Sequence, residues 1–225
     1  MRLFHKCSHG HEACQHNWYQ KEELANTITH LAAFLLAIVA FIFLMMRAIQ
    51  FGHTETIIAC SIYTVCVLIT FLTSAVYHST RTPRFRRFFH ILDHMVIYLM
   101  IAGTYTPFTL ITLRGTWGWS LFGVIWSLTA IGLVFKLFFT GRFTLFSTAL
   151  YILMGWMAVI AIVPIINALP IEGLFWLVLG GAFYTLGVIF FLMETIPFAH
   201  TIWHLFVIGG ALAHFICIYQ YVAIH

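Results

Sequence analysis

From residue 24 onward the chain alternates long apolar runs with short polar or Gly/Pro breaks. Seven such runs fall at approximately 26–49, 56–78, 90–112, 117–138, 143–164, 171–193 and 199–221. Each has about the 20 residues that an α-helix needs to cross the hydrocarbon core of a bilayer. The breaks hold helix-ending residues: Gly52, the Arg81-Thr82-Pro83-Arg84 stretch, Gly115, Gly141, the turn from Asn167 to Pro170, and Pro197. Connectors this short make consecutive helices antiparallel neighbours. The pattern predicts an all-α integral membrane protein, a seven-transmembrane-helix bundle, preceded by a polar tail. The boundary falls at residue 23, with 1–23 as tail and 24–225 as one membrane domain.

Composition narrows the class further. The 225 residues are 62% hydrophobic and only 8% charged, where a soluble domain carries about 25% charged residues, so an ordinary soluble enzyme is excluded. Eleven Lys and Arg outnumber seven Asp and Glu. In a membrane chain that excess reports orientation, and no nucleic-acid partner is expected. With the N-terminus inside, Arg2, Lys6, Lys21, Arg81, Arg84, Arg86, Arg87, Lys136 and Arg142 all fall in inner segments. Arg47 and Arg114 alone fall in outer ones. Cations in short loops stay on the cytoplasmic side, which predicts a cytoplasmic N-terminus and, after seven crossings, an outside C-terminus. This is the reverse of a G-protein-coupled receptor. The five cysteines are scattered, with Cys7 and Cys14 in the tail and Cys60, Cys66 and Cys217 in apolar runs, so no disulfide framework is expected. No removable signal peptide is evident, and the first helix is expected to direct insertion.

Ionisable groups inside a span are expensive and face the bundle interior, paired or functional. Here they form three clusters at cytoplasmic span ends: Ser74 to His78, His90-Ile91-Leu92-Asp93-His94, and His200 to His204. At about 1.5 Å rise per residue, all three lie within two turns of the inner boundary. His200 and His204, four apart, share one helix face and can grip one metal ion. His78 supplies a third imidazole. A three-histidine set without Cys or Met and with little carboxylate favours zinc. Such an ion lowers the pKa of water from 15.7 to about 7 and polarises a carbonyl. Asp93, the only Asp, is placed to shuttle the proton, and Ser74 to hydrogen-bond a developing oxyanion.

Structural alternatives stand beside each assignment. The histidines can hydrogen-bond neighbouring helices, Ser74 can pack at a helix contact, and Asp93 can pair with the arginines of the second loop. His30 is at the right depth to support the site or to bond between helices. His90 and His94 point about 60° and 100° away from Asp93 on an ideal helix and are left out of the ligand set. His53, His214 and His225 fall toward the outer side. Trp117, Trp119 and Tyr19 read as interfacial anchors. The tail from His5 to His16, with Cys7 and Cys14, can bind metal or be a solvated segment with incidental affinity.

The stretch from Leu92-Asp93-His94 through Ile97-Tyr98-Leu99 to Ala102-Gly103-Thr104-Tyr105-Thr106-Pro107, with Ser74 to His78 before it and His200 to His204 after it, resembles the hemolysin III family. That family is related to the progestin and adipoQ receptors and more distantly to the alkaline ceramidases. The resemblance runs from Glu23 to the end of the chain. It implies seven helices, a cytoplasmic N-terminus and zinc held by the histidines matching His78, His200 and His204. Asp93 and Ser74 match the family's other site positions. The receptor branch is associated with hormone response and ceramide hydrolysis, the bacterial branch with haemolytic pore formation, and the Asp-His pair places this chain with the latter.

The function expected is a zinc-dependent, hydrolase-like site acting on a lipid amide or ester that arrives from the bilayer of an inner or plasma membrane. Two other functions fit the same residues. One is a non-enzymatic cytolysin in which zinc clamps helices together. The other is a lipid-sensing receptor or homeostasis regulator with a structural zinc.

Overall fold

A computed structural model describes residues 11–193 and 196–224, with side chains from residue 18. Among the described residues there is no strand, and seven segments are long and apolar enough to cross a membrane. Span one is α1 (His11–Phe51), span two α2 (Thr54–Ser79) and span three α3 (Pro83–Pro107), which continues as a wide π turn at Phe108–Leu113. Span four is α4 (Gly115–Phe139). Span five is broken into α5 (Thr144–Gly155), a 3₁₀ segment (Met157–Ala161) and α6 (Ile162–Ala168). Span six is α7 (Ile171–Leu192), and span seven is α8 (Ala199–Cys217) with a terminal π turn at Ile218–Val222. The expected spans are all present, and the protein is a multi-pass integral membrane protein. The expected tail boundary at residue 23 falls inside α1, which runs through it unbroken. Residues 1–10, which hold His5, Cys7 and His9, lie outside the described residues.

Sequential neighbours pack side by side, and α8 returns against α1 to close the ring. Small residues let the central helices approach: Ala59 and Ala75 of α2 and Ala102 of α3 are buried, and a methyl added at Gly103 would overlap the Cys66 side chain. Close backbone approach is the usual source of adhesion between helices where lipid is as apolar as leucine. Five threonines in this core satisfy their own hydroxyls within the helix. Thr64, Thr70, Thr104, Thr106 and Thr129 each donate to the carbonyl one turn back, at 2.8–2.9 Å.

The break in span five is bridged from outside its own helix. The Tyr105 hydroxyl of α3 donates to the Gly155 carbonyl at 2.7 Å and accepts the Ala158 N–H at 2.9 Å. Two backbone groups freed by the interruption are thereby satisfied, as membrane burial requires.

Candidate metal centre

The three clusters separated in sequence meet at one end of the bundle. His78 comes from the last turn of α2, and His200 and His204 from the first two turns of α8. One donor nitrogen from each histidine lies within 4.8 Å of the others. Their ring centroids are 5.1 Å (His78–His200), 5.0 Å (His78–His204) and 4.6 Å (His200–His204) apart. His78 Nε2, His200 Nε2 and His204 Nδ1 are sealed from solvent and have no hydrogen-bond partner. A buried polar atom without a partner costs about 1–3 kcal/mol. Three converging on one point are the donor set an imidazole-bound cation needs, so the residues fit a metal ion.

The local sequence explains how the rings are aimed. Phe198, just before α8, takes a left-handed backbone (φ 55°) that starts the helix abruptly, and its ring packs on Trp18 of α1 at 4.8 Å. Asn26 Oδ1 accepts the Thr201 hydroxyl at 2.5 Å, which ties α1 to the first turn of α8. The i, i+4 spacing then sets His200 and His204 on one face.

A residue missing from the sequence reading orients the third histidine. Glu23 of α1 accepts from His78 Nδ1 at 3.0 Å through one carboxylate oxygen and from Arg86 Nη2 at 2.9 Å through the other. A carboxylate only accepts, so Nδ1 carries the proton and Nε2 is left as a lone pair facing the other two rings. This is the carboxylate–histidine pairing that orients metal ligands and raises their basicity. Arg86 Nη2 also donates to the Tyr19 hydroxyl at 2.6 Å, Arg86 Nη1 donates to the Thr80 carbonyl at 3.2 Å, and the guanidinium lies 4.8 Å from the Tyr77 ring centroid. Glu23, Asn26 and His30 stand at i, i+3 and i+7, a polar stripe on one helix face. That periodicity was the signal available in the sequence.

Ser74 of α2 and Asp93 of α3 line one cavity. The ion pairs among the described residues join Glu23 to His78 and Arg86, and Asp93 takes part in neither. Arg86 is therefore committed to Glu23. His30 is buried, and its ring stacks on His204 with centroids 3.7 Å apart. It stands behind the triad and is not one of the three converging donors. His90 is also outside the set, and His94 bonds through Nδ1 to the His90 carbonyl at 2.9 Å.

His200 and His204 of the triad line the polar end of a cavity of about 220 Å³. Ser74, Asp93, His94, His200 and His204 line that end, Ile97, Met100, Ile101 and Val207 line the middle, and Tyr184 and His214 line the far end. Trp156 and Val159, from the interrupted span five, form part of the wall and are also exposed on the outer surface of the bundle.

Seven spanning helices around a histidine triad, opening into an apolar cavity, define a polytopic membrane protein with an intramembrane candidate metal centre. The chain belongs to the haemolysin-III related family, which it matches over residues 18–215. It is similar to Hemolysin-3 of Bacillus cereus, with 47% identity over 204 residues covering 91% of this chain and 93% of that protein. It is 44% identical over 201 residues to the Hemolysin-3 homolog of Bacillus subtilis, covering 89% and 94% of the two chains. A more distant likeness, 32% over 206 residues and covering 89% and 84%, is to the human monocyte to macrophage differentiation factor.

Proposed function

We propose that the chain holds zinc on His78, His200 and His204 and cleaves the amide or ester of a membrane lipid, from the cytoplasmic half of an inner or plasma membrane. The observation that carries this reading is the convergence of three histidines whose sealed ring nitrogens lack partners, two of which, His200 and His204, line an apolar cavity. Three imidazoles suit zinc, and a site with three protein ligands keeps a position for water or substrate, as catalytic zinc does. The bound ion would lower the pKa of water and polarise the carbonyl.

The protein's own groups divide the remaining work. Glu23 holds His78 in the tautomer that presents Nε2. The apolar walls take up hydrocarbon and exclude bulk water. The Asp93 carboxylate receives the proton released when water attacks a carbonyl and returns it to the departing amine or alcohol. Ser74, which lines the cavity with Asp93, can turn its hydroxyl to the oxyanion as charge develops. The cytoplasmic placement is supported by the nine inner cations against two outer ones.

The printed name of the Bacillus cereus relative supports a second reading, a non-enzymatic cytolysin in which the same ion clamps α2 to α8. One experiment separates the two. Purified protein is assayed for metal, then reconstituted in vesicles holding ceramide and an entrapped dye, with released fatty acid followed by mass spectrometry. Hydrolysis predicts product without dye leakage. Asp93→Asn is then expected to keep its metal and lose 10²-fold or more in rate, the usual weight of a general base. Undiminished turnover in that variant removes Asp93 from the reaction. Dye leakage without product supports the cytolysin.

A further inference from the structure

The far end of the cavity carries a second polar site that the hydrolytic reading does not use. His214 of α8 is 7% exposed, and its Nε2 bonds to the Leu177 carbonyl at 3.2 Å. A carbonyl can only accept, so Nε2 carries the proton and Nδ1 presents a lone pair. That Nδ1 is sealed from solvent and has no partner. The Tyr184 hydroxyl of α7 is likewise sealed and partnerless, and its ring lies 5.5 Å from that of His214. Both residues line the cavity.

The packing around the pair makes room for it. A methyl added at Gly180 would overlap the His214 ring, and one added at Gly210 would come within 2.8 Å of the Tyr184 ring. Each helix therefore carries a glycine where the other helix's polar ring must sit. A simple apolar cavity end would be closed by leucine or phenylalanine, with no orphaned nitrogen or hydroxyl left in hydrocarbon.

We propose that His214 and Tyr184 form a recognition site for a hydroxyl group carried on the hydrocarbon portion of the bound lipid. An alcohol is the group that satisfies both atoms at once: its O–H donates to Nδ1 while its oxygen accepts from the Tyr184 hydroxyl. A ketone satisfies the tyrosine alone, a carboxylate sets its charge against the Nδ1 lone pair, and a plain alkyl chain satisfies neither. His214 lies ten residues beyond His204 on α8, which puts this anchor about 15 Å from the triad along the helix axis. The hydroxyl therefore belongs on the chain well away from the head group. The inference rests on the cavity being a lipid site, as proposed above, and it adds selectivity among lipids to that reading.

The test measures binding, not turnover. Intact protein, purified in mild detergent, is given an equimolar mixture of stearate and 12-hydroxystearate, and the retained lipid is quantified by mass spectrometry. The expected result is about tenfold preference for the hydroxy acid. Tyr184→Phe, which keeps the ring and its packing, is expected to reduce that preference to near parity, and His214→Gln should do the same. Equal retention of both acids by the unaltered chain overturns the hydroxyl site and leaves the lipid cavity standing. Retention of neither overturns both. A preference that survives in both variants also overturns the assignment.

Discussion

Spans two, three and seven differ from spans five and six in what surrounds them. Within their most apolar stretches, 67% of span three, 56% of span two and 50% of span seven are buried, against 17% of span five and 11% of span six. His78, Asp93, Ser74, His200 and His204 all come from the first group. Hydropathy does not separate the groups: span six, at 2.1, and span two, at 2.2, are equally greasy. What differs is the company each helix keeps. A polar side chain can be carried by a span that other helices enclose, because they supply partners and exclude lipid. Spans five and six turn most of their surface to the membrane and contribute walls.

That contrast can be broken most decisively at the triad. Replacing His200 and His204 together with alanine leaves one imidazole, and bound metal is expected to fall from about one ion per chain to background in elemental analysis. Retained metal would place the centre elsewhere. Next in size is a matched pair of truncations. Phe71→Ala in span two, at 3% exposure, should cost about 3–5 kcal/mol. Ile189→Ala in span six, at 52%, should stay within about 0.5 kcal/mol. Denaturation in detergent micelles reads both, and equal losses would dissolve the distinction between the groups.

Glu23→Gln tests whether α1 supports the ligands. Metal affinity should drop about 10–100-fold, measured by chelator competition, because the His78 ring loses its ionised partner. An unchanged affinity would make the contact incidental. The smallest effect lies within span four. A methyl at Gly132 would overlap the Tyr98 ring, whereas one at Gly123 would meet open space. Gly132→Ala should therefore cost about 1–3 kcal/mol through overpacking. Gly123→Ala should gain up to about 1 kcal/mol from helix propensity, and thermal melts should move in opposite directions.

Much of this was legible in the sequence because membrane burial writes itself in long runs. Seven apolar stretches and three polar interruptions at one depth were enough to place the helices and to bring His78 together with His200 and His204. Glu23 escaped because it sits where the polar segment meets the first apolar run, and a carboxylate there reads as solvated. Its role depends on α1 continuing upstream as helix, which hydropathy does not register. The break in span five was hidden for the opposite reason. Hydrophobicity runs straight through Gly155 and Pro164, the two residues that mark it, and the hydroxyl that bridges it comes from Tyr105, fifty residues earlier. His214 and Tyr184 stand as isolated polar residues in otherwise apolar runs. That they share a cavity wall depends on how α7 and α8 are rotated against one another, which no single-helix pattern encodes.

The length of α1 has a mechanical consequence. Forty-one residues of helix measure about 60 Å, roughly twice the thickness of the hydrocarbon core. The rod must lean steeply or stand clear of the surface. Either way, Glu23 lies partway along a stiff lever whose free end is outside the bundle. A change in the lever's tilt shifts the Glu23 carboxylate against the His78 ring, and with it Asn26 and His30, which contact α8.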